Sequence, residues 1–425
     1  VKLKFLTLSV WLVAGLVLAA APHFAQYHDA GVLSGSLEIH LTSSTGSVKT
    51  LYDNPSALQG LTMDTDNRLV VFGDGGNALG IHGLLKLDPV TRSVTTIISH
   101  PSLLYAPFDV VVDPGGDYVF TNRYARQVTP TFTQFSIGLF KYSPAAKTLS
   151  TIATTVSLGR PALWYGGLGV DIDTGDFIVQ DRDLTAKAPL LRIKPNGAIQ
   201  TVATGLDPRY SITQDIRTGD WYSAAGGQIL RVKKGASTAQ SLFPTSSGFG
   251  VHTAIAFDRA SAAKPRVVSR YRDQIFYVDP TSASITSMAL SQRAATPWDM
   301  AFFRGRNLAS VSTGPRRQDL KISFPTEAGK GYVIGLSLAG VRPGITLGDQ
   351  RVINLSPDGF TLLTLANLLP GIWNPGSLVL DRNGEATARL DLTGIPPLNA
   401  PAWALALVVD QGTIGTIGDP IVLRL

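Results

Sequence analysis

The sequence predicts an all-β fold: a six-bladed β-propeller closed by an N-terminal hairpin, followed by a small β-sandwich. Three observations carry this. Apolar stretches of about four to six residues alternate with turns rich in Gly and Pro, and no segment keeps a helical period. An Asp that ends an apolar strand recurs as Asp64, Asp113, Asp171, Asp215 and Asp258, with Phe303 in the sixth place. The spacing of roughly 43 to 58 residues is close to that of a four-stranded blade. The two ends of the repeat region also carry complementary parts of one blade.

The first complete repeat shows the pattern. QGLTMD brings a first strand to Asp64, Leu69 to Phe72 forms a second, and Leu84 to Leu87 a third. The Asp88-Pro89 turn leads to a fourth, Val94 to Ile97. The third strand has a signature of two apolar residues, any residue and one apolar residue. It reads Leu84-Leu85-Lys86-Leu87, Leu139-Phe140-Lys141-Tyr142, Leu190-Leu191-Arg192-Ile193, Ile229-Leu230-Arg231-Val232 and Ile275-Phe276-Tyr277-Val278. Pro89, Pro144, Pro195 and Pro280 follow four of these, marking turns because proline cannot donate to a ladder. The sixth repeat, Pro297 to Thr313, has two strands and stops. Leu37-Glu38-Ile39 and Ser47 to Leu51 match strands three and four, so this hairpin is expected to complete the last blade and remove exposed sheet edges. A plain sandwich of short strands does not require matching parts at both ends.

Taken in order, residues 1–25 read as a secretory signal peptide. Lys2 and Lys4 precede the uncharged apolar run Phe5 to Ala21, and Ala19, Ala20, Ala21 and Ala25 supply small residues for cleavage. The rival reading is an uncleaved anchor, for which the run is slightly short. No later stretch is long and apolar enough to span a bilayer, so an exported chain, periplasmic or extracellular, is expected. Cysteine is absent, which excludes disulfides, thiolate nucleophiles and sulfur metal sites. The net charge of +6 is scattered, with Lys233-Lys234 and Arg316-Arg317 as isolated pairs, so nucleic acid is not an expected partner.

Residues 37–314 make the propeller. Val70, Phe72, Val119, Ile178, Val179, Trp221 and Val268 are the expected core between blades. Gly314 to Gln318 reads as a linker. Residues 319–425 lose the recurring Asp and form the sandwich, with strands at Tyr332 to Leu338, Val352 to Leu355, Gly376 to Leu380, Ala386 to Leu392, Trp403 to Val409 and Pro420 to Leu425. A short helix is expected at Thr361 to Leu369.

Propeller geometry places the turns after strands one and three on one face and those after strands two and four around the channel mouth, where ligands converge. Asp171-Ile172-Asp173-Thr174-Gly175-Asp176 has carboxylates at calcium-loop spacing. It lacks a closing Glu and falls on the turn face, so it reads as a turn. At the mouth, strand one begins with Gln59, Asp109, Tyr165, Tyr210, His252 and Asp299. Strand two arrives with Asn122-Arg123, Asp181-Arg182 and Arg270. Asp109, Asn122, Asp181 and Asp299 are the metal-ligand set for a divalent cation such as calcium. The same carboxylates can instead pair with neighbouring arginines as a structural network, and both readings stand. His252 is the one histidine placed as a general base. Arg123, Tyr165, Arg182, Tyr210, Arg270 and Trp298 are the candidate ligand-binding residues.

The repeats PFDVVVDPGGDYVFTN and GLGVDIDTGDFIV resemble those of the NHL and gluconolactonase-like six-bladed propellers, a superfamily that also includes streptogramin lyases. The resemblance implies a channel cation held by a Glu, an Asn and an Asp. Asn122, Asp181 and Asp299 occupy comparable places, and Gln59 stands where that Glu is expected. Of the His and Glu used by streptogramin lyases, only the His has a counterpart, His252. The expected function is an exported bacterial module that binds a small molecule, saccharide or protein at the mouth. The alternative is a metal-dependent hydrolase or lyase acting on a lactone, ester or saccharide. A third reading gives the binding to the sandwich.

Overall fold

The protein is described here from a computed structural model. It describes residues 30–34, 38–42, 48–53, 58–64, 69–73, 83–88, 91–99, 106–129, 132–154, 164–182, 188–206, 211–225, 228–242, 254–258, 266–271, 274–289, 291, 297–302, 307–314, 316–324, 327–349, 351–369, 371–394 and 401–423. The expected signal segment, residues 1–25, lies outside them. Three strands come first: β1 (Ala30–Ser34), β2 (Glu38–Thr42) and β3 (Val48–Asp53). Five antiparallel four-stranded meanders follow. They are β4 (Leu58–Met63), β5 (Leu69–Gly73), β6 (Gly83–Leu87) and β7 (Val94–Ser99); then β8 (Ala106–Val112), β9 (Tyr118–Thr129), β10 (Phe132–Ser143) and β11 (Thr148–Thr154). The third is β12 (Trp164–Val170), β13 (Phe177–Arg182), β14 (Ala188–Ile193) and β15 (Ile199–Leu206). The fourth is β16 (Ile212–Gln214), β17 (Trp221–Ala225), β18 (Gln228–Val232) and β19 (Gln240–Ser241), and the fifth is β20 (Ala254–Asp258), β21 (Arg266–Tyr271), β22 (Gln274–Val278) and β23 (Ile285–Ala289). This is a propeller arrangement, in which the first strands adjoin one another: β4 lies against β8, β8 against β12, β12 against β16 and β16 against β20.

The recurring Asp explains why each meander turns where it does. Asp113 Oδ1 accepts the N–H groups of Gly115 at 2.8 Å and Asp117 at 3.0 Å, closing the turn after the first strand. Its Oδ2 receives Lys141 Nζ at 2.7 Å. Asp171 does the same with the Asp173 N–H at 2.9 Å and Arg192 Nη2 at 2.7 Å. Asp64 pairs with Lys86 and takes the Tyr118 hydroxyl of the next sheet at 2.7 Å. Asp215 caps the Arg217 N–H at 2.8 Å, while Arg231 turns to Asp220. Lys86, Lys141, Arg192 and Arg231 all stand at the open position of the third-strand signature. That position therefore supplies the counter-charge for a buried carboxylate. The faces between sheets are apolar. Val119, Leu139, Leu168 and Val179 fill one, and Ile178, Leu190, Trp221 and Leu230 fill the next. Val119, Ile178, Val179 and Trp221 are thus buried as expected. The side chains of Val70, Phe72 and Val268 lie outside the described set.

The last sheet departs from expectation. β24 (Pro297–Phe302) pairs with β1 over Ala30–Ser34, and the order is β24-β1-β2-β3. The N-terminal segment thus contributes three strands, not the two of a hairpin. The missed strand, AGVLS, is short and precedes the region where the repeat grammar begins. The strand expected to be second in this blade, β25 (Leu308–Gly314), pairs instead with β26 (Arg317–Ser323). The expected linker, Gly314 to Gln318, is therefore the turn of a hairpin, and Arg316 holds the left-handed conformation at φ 61°.

The remaining elements are β27 (Gly331–Ser337), β28 (Ile345–Thr346), β29 (Val352–Ile353), α1 (Gly359–Leu365), β30 (Trp373–Asn374), β31 (Glu385–Asp391), β32 (Ala402–Asp410), β33 (Thr413–Ile417) and β34 (Ile421–Leu423). They form two main sheets, β25-β26-β31-β30 and β27-β32-β33 with β34 on β32. Leu320, Ile322, Ala388 and Leu390 of the first meet Ile334, Leu336, Ala404, Ala406 and Val408 of the second in one core. The other face of β32 carries Trp403, Leu405 and Leu407. These pack with Ile172 and Ile216 from the propeller turns, so β32 is buried on both sides. Trp403 Nε1 donates to the Ile172 carbonyl at 2.8 Å. Arg342 donates to the Ile216 carbonyl and to Asp173, and Lys234 joins Asp173 at 2.8 Å. The Ser310 N–H donates to the Pro114 carbonyl at 3.2 Å. The segment with calcium-loop spacing is thus the docking point of the C-terminal sheets.

Asp358 organises the entry to α1. Its oxygens accept from the N–H groups of Thr361, Leu338 and Ala339 and the hydroxyls of Thr361 and Ser337. Burial raises its pKa, but the donors of Thr361, Ala339 and Ser337 outweigh that and hold it below the usual carboxylate value. A depressed folded pKa contributes stability above the unfolded value and loses it as pH falls through the folded one. Asp358→Ala should cost about 2 kcal/mol at neutral pH. It should also flatten the fall in stability below about pH 4, read by urea unfolding at stepped pH.

Candidate functional site

The edge opposite the docked sheets is built by the start of each first strand and the end of each second strand, brought together by antiparallel pairing. Pro107 faces Asn122, and Ala106 faces Arg123. Tyr165 faces Asp181 and Trp164 faces Arg182. Ala254 faces Arg270, and Leu33 of β1 faces Asp299. Counted from the strand starts Tyr118, Phe177 and Arg266, Asn122, Asp181 and Arg270 hold the same place in three sheets. The backbone therefore brings Arg123, Tyr165, Asp181, Arg182, Arg270, Trp298 and Asp299 to this edge, while their side chains lie outside the described set. His252 and Tyr210 lie wholly outside it. Among the described residues no group of three His, Cys, Asp or Glu side chains forms a metal cluster.

Asp109 and Asn122 are described, and both are buried. Asp109 has a structural employment that its sequence position did not announce. Oδ1 accepts the Val110 N–H at 2.7 Å, and Oδ2 accepts the Leu168 N–H of the neighbouring sheet at 2.6 Å. Both carboxylate oxygens are thus engaged by backbone amides, one of them from the next sheet. Around it, the equivalent positions of the other first strands are small and also tie sheet to sheet. Gly60, at φ 68°, lies so close to Asp109 that a Cβ would come within 2.7 Å of its Cα. Gly167 meets the Ile212 N in the same way, at 2.6 Å. Ser211 Oγ donates to the Ile255 carbonyl at 3.0 Å. Asp299 holds this same place in β24.

Sequence reading missed a second set just inside the edge. Thr121, Gln180 and Ser223 are buried polar residues on second strands, where apolar ones were expected. Ser223 Oγ donates to Gln180 Oε1 at 3.1 Å across two sheets, and Thr121 Oγ1 has no hydrogen-bond partner. The signal was visible in VFTN and IVQD, where each strand turns from apolar to polar residues partway along. A buried hydroxyl left unmet among the described residues is a costly arrangement for a pure core.

No family model matches the chain, and no curated protein matches it. Solved structures do. A nidogen/laminin complex is 11% identical with a TM-score of 0.50, covering 64% of this chain and 97% of that one. A candidate gluconolactonase is 12% identical with a TM-score of 0.40, covering 65% and 92%. The WD40 propeller domain of Doa1 is 12% identical with a TM-score of 0.40, covering 72% and 92%. At such identities the likeness is one of fold, a β-propeller. No helix among the described residues is long and apolar enough to cross a membrane.

Removing the Asp109 carboxylate should strand the Leu168 amide. Asp109→Ala is expected to cost about 1–3 kcal/mol and Asp109→Asn, which keeps one acceptor, about half of that. Hydrogen exchange at Leu168 should rise in both, in the same order, and unchanged protection there would remove the tie from the account.

Proposed function

We propose that this chain is an exported ligand-binding propeller, closed as a six-sheet ring through β24 and β1, which takes a small molecule or saccharide at the mouth lined by the second-strand ends. One observation carries the choice of face. The C-terminal sheets occupy the turns at 113–117, 171–176 and 215–220, so the opposite edge is left for a ligand. Closure is supported by the β24–β1 ladder and by β24 lying against both β20 and β4. The residues gathered there suit a polar ligand with a flat face: Trp164, Tyr165 and Trp298 for stacking, and Arg123, Arg182 and Arg270 for hydrogen bonds. The hydrolase or lyase alternative asks Asp109, Asn122, Asp181 and Asp299 to hold a cation. Asp109 already serves two amides, one of them from the neighbouring sheet.

A saccharide array followed by calorimetry on the hit tests the reading. Arg182→Ala with Trp298→Ala should weaken binding by about a hundredfold, some 3 kcal/mol. Arg389→Ala, on the C-terminal sheets, should leave it unchanged, as should a chelator. Loss of binding with Arg389→Ala would move the site to those sheets, and loss with the chelator would restore the metal reading.

A further inference from the structure

We infer that the C-terminal sheets act as a strap across the propeller, holding shut the joint between β24 and β1. This rests on the closed ring proposed above. The joint is non-covalent and short, a ladder of Ala30–Ser34 against residues 297–302. After β24 the chain does not end; it enters β25 and the two C-terminal sheets. Among the described residues their contacts with the propeller lie away from the joint. The sheets dock on the turns that follow β8, β12 and β16, through Pro114, Ile172, Asp173 and Ile216. In the order of adjoining first strands, β12 is the farthest from β24 in either direction. The chain leaving the joint is therefore anchored at the other side of the disc.

The anchor is a packed interface and not a tether. Ile172 and Ile216 are buried in one cluster with Val341, Leu347, Leu405 and Leu407. Gly219 leaves room for the Arg342 guanidinium, whose Nη2 would stand 3.0 Å from a Cβ at that position. Separating β24 from β1 moves β24 outward, and β25 must follow it. That displacement works against the Ser310 contact to Pro114 and then against the Trp403 and Arg342 contacts. Docking free energy thus adds to the free energy of the joint, and loosening the anchor should raise the frequency of opening at a site it does not touch.

Hydrogen exchange on the full chain tests this with Arg342→Ala, Trp403→Phe and the pair together. Trp403→Phe removes the indole N–H and part of the ring but keeps an aromatic side chain in the cluster, so it is the milder variant to use if the double variant proves too severe. The expected result is a rise of about tenfold or more in exchange at 30–34 and 297–302, additive in the double variant. Asp319→Ala, which breaks the ion pair from β26 to Arg389 on β31 without touching the anchor residues, is the control for general destabilisation and should leave those amides alone. A rise confined to 171–176, 215–220 and 341–347 overturns the strap. An equal rise with Asp319→Ala overturns it too, because opening would then be global. Free exchange at 30–34 in the unaltered protein would instead sink the closed ring, and the strap with it.

Discussion

The buried carboxylates Asp64, Asp113, Asp171 and Asp215 at the ends of four first strands must be met by partners, and much of the propeller's regularity follows from that. One oxygen takes the amides of the turn, which sets where the chain reverses. The other takes a cation from the third strand or, where that cation goes elsewhere, from the turn itself. Because the cation arrives from two strands away, the requirement spans most of a sheet and fixes its register. Leaving either partner out would strand a charge in a poorly hydrated place, a fault that costs several kcal/mol. Apolar packing between sheets then has a rigid frame to fill.

Legibility in the sequence followed from how local each device is. The blade grammar was readable because the carboxylate, its turn and its cation recur at similar intervals. Even so, the open letter of the third-strand signature was taken as arbitrary, although Lys86, Lys141, Arg192 and Arg231 stood there in plain view. The final sheet was misread because β25 has the length and spacing of a second strand. Its true partner, β26, was hidden in what looked like a linker. Pairing choice depends on which edge is free in three dimensions, and a strand's own residues do not declare that. The tie from Asp109 to the Leu168 amide was not legible for the same reason: it is made across a neighbouring sheet.

The two edges of the propeller sheets differ in what they present. On one, Asp173, Ile172 and Ile216 engage the C-terminal sheets with an apolar cluster and a ring of hydrogen bonds. On the other, strand ends from several sheets bring arginines, aromatics and carboxylates to corresponding places. Between them the first strands are bound to one another by groups chosen for small size or for a reaching side chain, Gly60, Asp109, Gly167 and Ser211. A level of tight ties near the mouth keeps the residues above it in fixed relation, which is what recognition of a polar ligand needs.

β32 wears a coat on either side: alanines and Val408 toward the partner sheet, Trp403, Leu405 and Leu407 toward the disc. Cut free, these sheets would carry a greasy flank into water, and a disc stripped of them would bare Ile172 and Ile216. Neither part is therefore expected to be as soluble alone as the two are together.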